Sequence, residues 1–352
     1  MFSRFSSCIA IAPLLVLGGA LSPAVAADYS GCSLCGGGDY QVDYDVPDGD
    51  YFNSDTDFGK ADPDANFVLR GSMGMASITA NEHVYYFTTG PENLSLLVWQ
   101  SIAPIASLDA KARLPGQWTL RGHIDAAIAG DSKMTDYDWL GYSPSLDPND
   151  WDHRSISPNT SLDWYLNGSI ALGRDLPINE ALTVNVNGGF QYTDVQWTAV
   201  GGTYIYSTSG FRDTVGTIPD VPGVRYRQQL PTLFAGVDAT VNDGAWSLEA
   251  GGRAGLMLYG RSRDDHYLRV PPFYVVDDLN LGQVLSADAK LGYAFSDHLG
   301  VFVSGSYEKM FAGHTPTHYY DMATNALNSE SDKAGGAELD VASIKVGLKG
   351  NF

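Results

Sequence analysis

Two short groupings hold the side chains best suited to chemistry. The first is Asp136-Tyr137-Asp138-Trp139 and the second is Asp264-Asp265-His266. In an extended segment, residues two apart face the same way. Asp136 and Asp138 then present two carboxylates together, and one of them should keep its proton to a higher pH than an isolated acid. Asp264 and His266 are also two apart, and a carboxylate beside an imidazole fixes its tautomer and raises its basicity. Brought together, the two pairs could hold a water between carboxylate and histidine for general-base attack on a peptide carbonyl. By itself the spacing is a weak signal, because acidic pairs on exposed loops are usually only solvated.

The elements that would position these groups read as long strands. From about residue 66 the hydrophobic period is two. Leu182, Val184, Val186, Gly188 and Phe190 alternate with Thr183, Asn185, Asn187 and Gly189, and Leu233, Ala235, Val237, Ala239 and Val241 share one face. A soluble sandwich would alternate in the same way. Segments near 66–78, 94–108, 116–130, 160–174, 181–199, 225–241, 245–261, 282–296, 299–312 and 338–352 all exceed the ~5–6 residues of a globular strand. Their number is even, as closed bacterial barrels require, and the last strand ends in an aromatic, Phe352. Tight turns such as Asn242-Asp243-Gly244 alternate with longer connections at 131–159, 200–224, 262–280 and 313–337. The expected fold is all-β: a ten-stranded antiparallel transmembrane β-barrel with long extracellular loops. Trp99, Trp118, Trp164 and Phe295 suit interfacial girdles.

The start of the 352-residue chain sets the compartment. Arg4, an apolar run from Ile9 to Leu21 and the small-residue site Ala24-Val25-Ala26 read as a signal peptide over 1–26. Residues 27–62 read as a flexible Asp/Gly-rich extension and 63–352 as the barrel domain. No later run of about 18 apolar residues suggests a membrane helix. Cys32 and Cys35 suit a local disulfide in an oxidising compartment, and Asp43, Asp45, Asp48 and Asp50 lack the spacing of a calcium loop. The formal charge of −20 argues against nucleic acid as a partner and suits solvated loops or basic substrates.

The order Asp136-Tyr137-Asp138-Trp139, Trp151, Gly201-Gly202-Thr203-Tyr204-Ile205-Tyr206-Ser207, Gly210-Phe211-Arg212-Asp213 and Asp264-Asp265-His266-Tyr267 resembles the omptin family of outer-membrane endopeptidases. The likeness runs from about Glu82 to the C-terminus. It implies a barrel in the bacterial outer membrane with its active site facing the extracellular side. Asp136, Asp138, Asp264 and His266 match the family's catalytic residues, an aspartic-type set that uses no covalent intermediate, no metal and no organic cofactor. His266 with Asp136 would activate water, Asp264 would orient His266, and Asp138 would help hold the water. The implied partners are polypeptide substrates and outer-membrane lipid, with lipopolysaccharide as an activator and a monomer as the assembly.

Some positions depart from the family pattern. Asp265 stands where glutamate is common. Omptins cut between basic residues with acids deep in the groove, and Glu82 matches one of these. Ser262 stands at the place of a second acid, flanked by Arg261 and Arg263, and His153 replaces an acid of the following subsite. Such a pocket should hold Lys or Arg less firmly, which counts against dibasic specificity. Asp194 and Gln229 stand where the family carries lipid-binding arginines, so lipid dependence is either relaxed or tuned to a different lipid. Arg212 and Asp213 are candidates for an ion pair, and Gly201-Gly202 for a bulge. The alternative to a protease is a non-catalytic barrel acting as adhesin or narrow pore.

Overall fold

The computed structural model describes residues 66–85, 93–141 and 149–352. The expected signal peptide, the N-terminal extension and the Cys32–Cys35 pair lie outside the described residues. Thirteen strand segments follow in order: β1 (Phe67–Tyr85), β2 (Asn93–Leu114), β3 (Trp118–Ala127), β4 (Asp131–Asp138), β5 (His153–Pro177), β6 (Leu182–Tyr206), β7 (Thr214–Asp243), β8 (Trp246–Met257), β9 (Arg261–His266), β10 (Phe273–Asp278), β11 (Gln283–Ala294), β12 (Leu299–Asp321) and β13 (Leu327–Asn351). All pairings are antiparallel, and β1 pairs both β2 and β13. β8 pairs both β7 and β11, so the sheet returns on itself as a ring. Closure leaves no row of unpaired backbone groups.

Three places in the ring are filled by two segments each. β3 and β4 both lie between β2 and β5, β8 and β9 both pair β7, and β10 and β11 both pair β12. Each interruption contains a non-glycine residue in the left-handed region: Ala129, Tyr259 or Leu281. A residue there breaks the ladder and lets the strand bend before pairing resumes.

Alternation gives the lower part of the ring an apolar outer face. Met73, Ile102, Leu108, Ile170, Leu233 and Val346 are all exposed and form a band. Above the band the outward positions turn polar, as at Ser77, Asn81 and Gln100 on β1 and β2 and Arg225, Arg227 and Gln229 on β7. The strands nevertheless continue. The connections expected at 200–224, 262–280 and 313–337 are largely paired strand, carried by β6 with β7, β9 with β10, and β12 with β13. Much of 131–159 is likewise strand, in β4 and β5. The period-two signal fades there because neither face meets lipid, so hydropathy no longer alternates.

Inside the ring, two tiers differ. The upper tier is an apolar layer that includes Ile78, Trp99, Leu162, Trp197, Tyr226 and Leu339, each at most 1% exposed. Trp99, expected in an outer girdle, belongs to this layer. Its ring stacks on Tyr226 at 5.7 Å and tilts against Trp197 at 6.2 Å. Trp197 Nε1 donates to Ser101 Oγ at 2.8 Å. Trp118 and Phe295 are exposed, as girdle residues would be. Below the layer lies a cavity of about 720 Å³ lined by charged and polar side chains. Its charges cross-pair: Arg70 with Glu249, Lys111 with Asp175 at 3.0 Å, Arg121 with Asp238 at 2.6 Å, and Lys345 with Asp125 at 2.9 Å.

Candidate active site

Above the apolar layer, inward positions of the upper strands converge on one cleft. On β4, Asp136 lies opposite Leu97 and Asp138 opposite Ser95. Ser95 Oγ donates to Asp136 Oδ1 at 3.2 Å. Burial, and then the neighbouring Asp138, pushes the Asp136 carboxyl well above its ordinary range. Burial also raises Asp138, opposed by the Ser95 hydroxyl and by the neighbouring His153, Arg269 and His266. This is the behaviour expected of two carboxylates that share a site.

Across the cleft, β9 carries Asp264 and His266 on one face. Asp264 is 2% exposed, and its Oδ2 lies 2.6 Å from His266 Nε2. The imidazole is steadied on its other side by Phe273, ring to ring at 4.6 Å. The two couples feel each other's charge, since Asp264 raises Asp136 and His266 lowers Asp138. Asp265 points to the outer wall by alternation. There it pairs with Arg225 at 3.3 Å and Arg263 at 2.8 Å, tying the His266 strand to its neighbour.

Glu82 on β1 is 3% exposed and lies in the same cleft. Burial first, then the charges of Asp264 and Asp277, hold its carboxyl well above the ordinary range. Ser262 is inward and buried, and its Oγ donates to Asp277 Oδ2 at 2.9 Å. Thr317 on β12 donates to Asp277 Oδ1 at 2.7 Å. Asp277 is therefore a second pocket acid, supplied by β10 directly opposite Ser262 in the β9–β10 register. Burial pushes its carboxyl up to about 6, against the pull of the Thr317 and Ser262 hydroxyls. Sequence reasoning missed Asp277, because only strand register brings it to Ser262. It also misplaced the flanking arginines. Arg261 and Arg263 are exposed on the outer wall, where Arg261 Nε donates to Gln229 at 2.9 Å.

The expectation of a pocket with one carboxylate is therefore corrected. Glu82 and Asp264 share a hydrogen bond in this buried site, with the proton on Glu82, whose carboxyl burial holds toward its neutral form.

The remaining wall comes from β5 and β6. His153 lies opposite Asp138 and forms its ring contact with Tyr206 at 4.8 Å. Gly201 and Gly202 have φ of 59° and 124°, and the β6–β7 register shifts there. A Cβ on Gly202 would sit 2.1 Å from the Ile156 carbonyl oxygen, so only glycine fits. Before this bulge Val195, Trp197 and Ala199 face inward; after it Tyr204 and Tyr206 do, lying beside Ser155 and His153. One extra residue has moved the inward face by one position. Arg212 and Asp213 do not pair in the way expected. Arg212 lies over the Trp151 ring at 3.6 Å and donates to the Trp151 carbonyl at 3.0 Å, while Asp213 accepts the backbone N–H groups of Thr208, Ser209 and Gly210.

On the outer wall, Asp194 accepts from Arg227 Nε at 2.9 Å and from Trp164 Nε1 at 3.0 Å. Gln229 donates to the Tyr192 hydroxyl at 2.8 Å. The wall thus keeps Arg225, Arg227, Arg261 and Arg263, two of them held by carboxylates on the same wall at 2.8 Å or less.

Comparison with known proteins gives the same architecture a family. Protease 7 of Escherichia coli (strain K12) is 24% identical over 278 residues, covering 75% of this chain and 84% of that protein. The plasminogen activator of Yersinia pestis is 25% identical over 303 residues, covering 82% and 90%. The crystal structure of the outer membrane protease OmpT from Escherichia coli matches with a TM-score of 0.74 at 23% identity, covering 82% of this chain and 97% of that one. The ring of strands is thus an outer-membrane β-barrel. The omptin family model matches residues 63–352, nearly all of the chain after its first segment, and the chain belongs to the omptin family.

Proposed function

We propose that this chain is an endopeptidase of the aspartic type, working at the extracellular end of a ten-stranded transmembrane barrel. The count of ten takes each interrupted pair of segments as one strand. The observation that carries the reading is the 2.6 Å Asp264–His266 bond facing the Asp136–Asp138 couple across a buried cleft. Asp264 engages Nε2, so base function falls to Nδ1. His266 with Asp136 takes a proton from water as its oxygen attacks the peptide carbonyl carbon. Asp138 helps hold the water. The tetrahedral intermediate then collapses, and the protonated imidazole returns the proton to the leaving amine.

Glu82 and Asp277 make the pocket beside this machinery a place for a lysine or arginine side chain, with Ser262 holding Asp277 in position. Polypeptides are the substrates. Lipopolysaccharide acts as an activator at the outer-wall arginines. The protein works as a monomer without metal or organic cofactor. The apolar layer beneath the cleft counts against a pore, because Trp99, Trp197 and Tyr226 pack together with none of the three open to solvent.

The test is a digest of an unbiased peptide library by the refolded barrel, with and without lipopolysaccharide, beside Asp136→Ala and His266→Ala. Cleavage by the parent alone is expected. An intact barrel that cuts nothing under any lipid condition would favour an adhesin.

A further inference from the structure

Asp264 and His266 stand on one of the least supported strands of the ring. β9 and β10, of six residues each, are the shortest of the thirteen strand segments. They form a hairpin whose two feet are the breaks at Tyr259 and Leu281, with φ of 58° and 62°. Below those breaks the ring continues as β8 and β11. The hairpin's own ladder therefore has only six residue pairs to β7 on one side and five to β12 on the other. A short ladder bounded by breaks is where local opening costs least. Yet this strand must hold Asp264 2.6 Å from His266 and keep both facing the Asp136–Asp138 couple.

The outer face of the hairpin carries what the ladder lacks. Asp265 points to the outer wall, yet it is only 6% exposed. Its register partners are Arg225 on β7 and Tyr274 on β10. Its Oδ1 accepts from Arg263 Nε at 2.8 Å, and its Oδ2 accepts from the Tyr267 hydroxyl at 3.3 Å. Arg225 Nε lies 3.3 Å from the same Oδ2, and its guanidinium lies over the Tyr267 ring at 5.3 Å. On the other side the Arg263 guanidinium lies over the Tyr274 ring at 4.0 Å, and Tyr274 stacks on Tyr320 of β12 at 4.8 Å. A belt of side chains thus crosses β7, β9, β10 and β12, and two cations and a hydroxyl converge on one carboxylate at its centre. Successive strand residues face opposite ways, so holding Asp265 outward holds Asp264 and His266 inward.

We propose that Asp265 is a positioning residue for the catalytic groups: without touching the cleft, it buckles the outer belt that keeps β9 in place, so that Asp264 and His266 stay aligned on Asp136 and Asp138. The effect on rate rests on the endopeptidase reading above. A glutamate keeps the charge that holds both guanidinium groups. An asparagine keeps the shape and loses the charge-assisted bonds.

The refolded full chain is compared with Asp265→Asn and Asp265→Glu. In Asp265→Asn, kcat should fall about thirtyfold with KM within about twofold, because misplacing a catalytic group costs rate more than binding. Asp265→Glu should recover most of the loss. Two readouts need no cleavage. The proton of the Asp264–His266 bond should give a strongly deshielded NMR signal in the parent and in Asp265→Glu, and lose it in Asp265→Asn. Backbone amides of β9 should exchange about tenfold faster in Asp265→Asn, while those of β8 keep the parent's rates. An Asp265→Asn protein with the parent's kcat would overturn the proposal, as would a loss of rate matched by an equal fall in global stability. A parent that cuts no peptide would sink the endopeptidase reading alone. The ring proton and the amide exchange then decide the proposal, and values unchanged in Asp265→Asn would end it.

Discussion

The two ends of the barrel interior are both rich in charge and use it in opposite ways. In the lower cavity acids and bases are matched across the lumen. Asp125, for example, receives Lys345 at 2.9 Å, His123 at 3.2 Å and the Ser107 hydroxyl. In the upper cleft, carboxyls are gathered with few bases. Glu82 and Asp277 stand beside Asp264, and Asp136 beside Asp138. Matched charge holds a structure together, whereas gathered like charge costs stability and persists where it serves a ligand or a reaction.

The largest effect that could break this comparison is in the cleft. His266→Ala or Asp136→Ala should lower kcat/KM by ~10³-fold, the typical worth of a positioned acid–base group, with little change in the thermal unfolding of the refolded barrel. Equal losses of stability and activity would show the couples to be structural. The reverse pattern is expected below. Lys345→Ala leaves Asp125 with His123 as its remaining basic partner, in a site less than one-eighth exposed. It should cost about 3 kcal/mol in denaturant unfolding while leaving kcat/KM per folded molecule unchanged.

A smaller effect is expected at Asp277. Asp277→Asn should raise KM for peptides with a lysine or arginine about tenfold and change kcat little. The parent should show the same loss as pH falls through about 6, where Asp277 takes up its proton. The variant should lack that inflection.

Asp277 also marks the limit of what the residues alone disclose. That Asp136 and Asp138 share a face, and Asp264 and His266 another, was legible because strand alternation is a local rule; the role assigned to the four came from the family resemblance. Asp277 was not legible, because its partnership with Ser262 depends on register between β9 and β10, and nothing in either segment encodes the other's offset. Arg261 and Arg263 looked like neighbours of the pocket, yet alternation sends them to the outer wall while Ser262 turns inward. Trp99 was misread for a related reason: an aromatic in a barrel strand suits the membrane girdle and the packed lumen equally well. The strands above the band escaped notice because their sequence answers to water on one side and a polar cleft on the other.

The smallest expected effect is a stability gain. The folded pKa of Asp277 lies above its ordinary value of 3.8, so the folded state binds the proton more tightly than the unfolded chain. This group's contribution is therefore fully favourable below about pH 4 and is lost as pH rises through about 6. Glu82 and Asp136 shift in the same direction. Glu82→Gln or Asp277→Asn should raise the unfolding midpoint slightly at pH 8 and not at pH 4. A midpoint lowered at both values would mean that the acids support the fold after all.

The layer of Trp99, Trp197 and Tyr226 has a consequence for what the cleft can sense. It is a packed septum between two polar compartments, with 0% of any of the three side chains open to solvent. Trp99, Trp197 and Tyr226 pack together between the lower cavity and the cleft of Asp136 and His266. On the endopeptidase reading, the protonation state of Asp136 and His266 should follow the medium on the cleft side alone, and the barrel, though it crosses the bilayer, should be chemically one-sided.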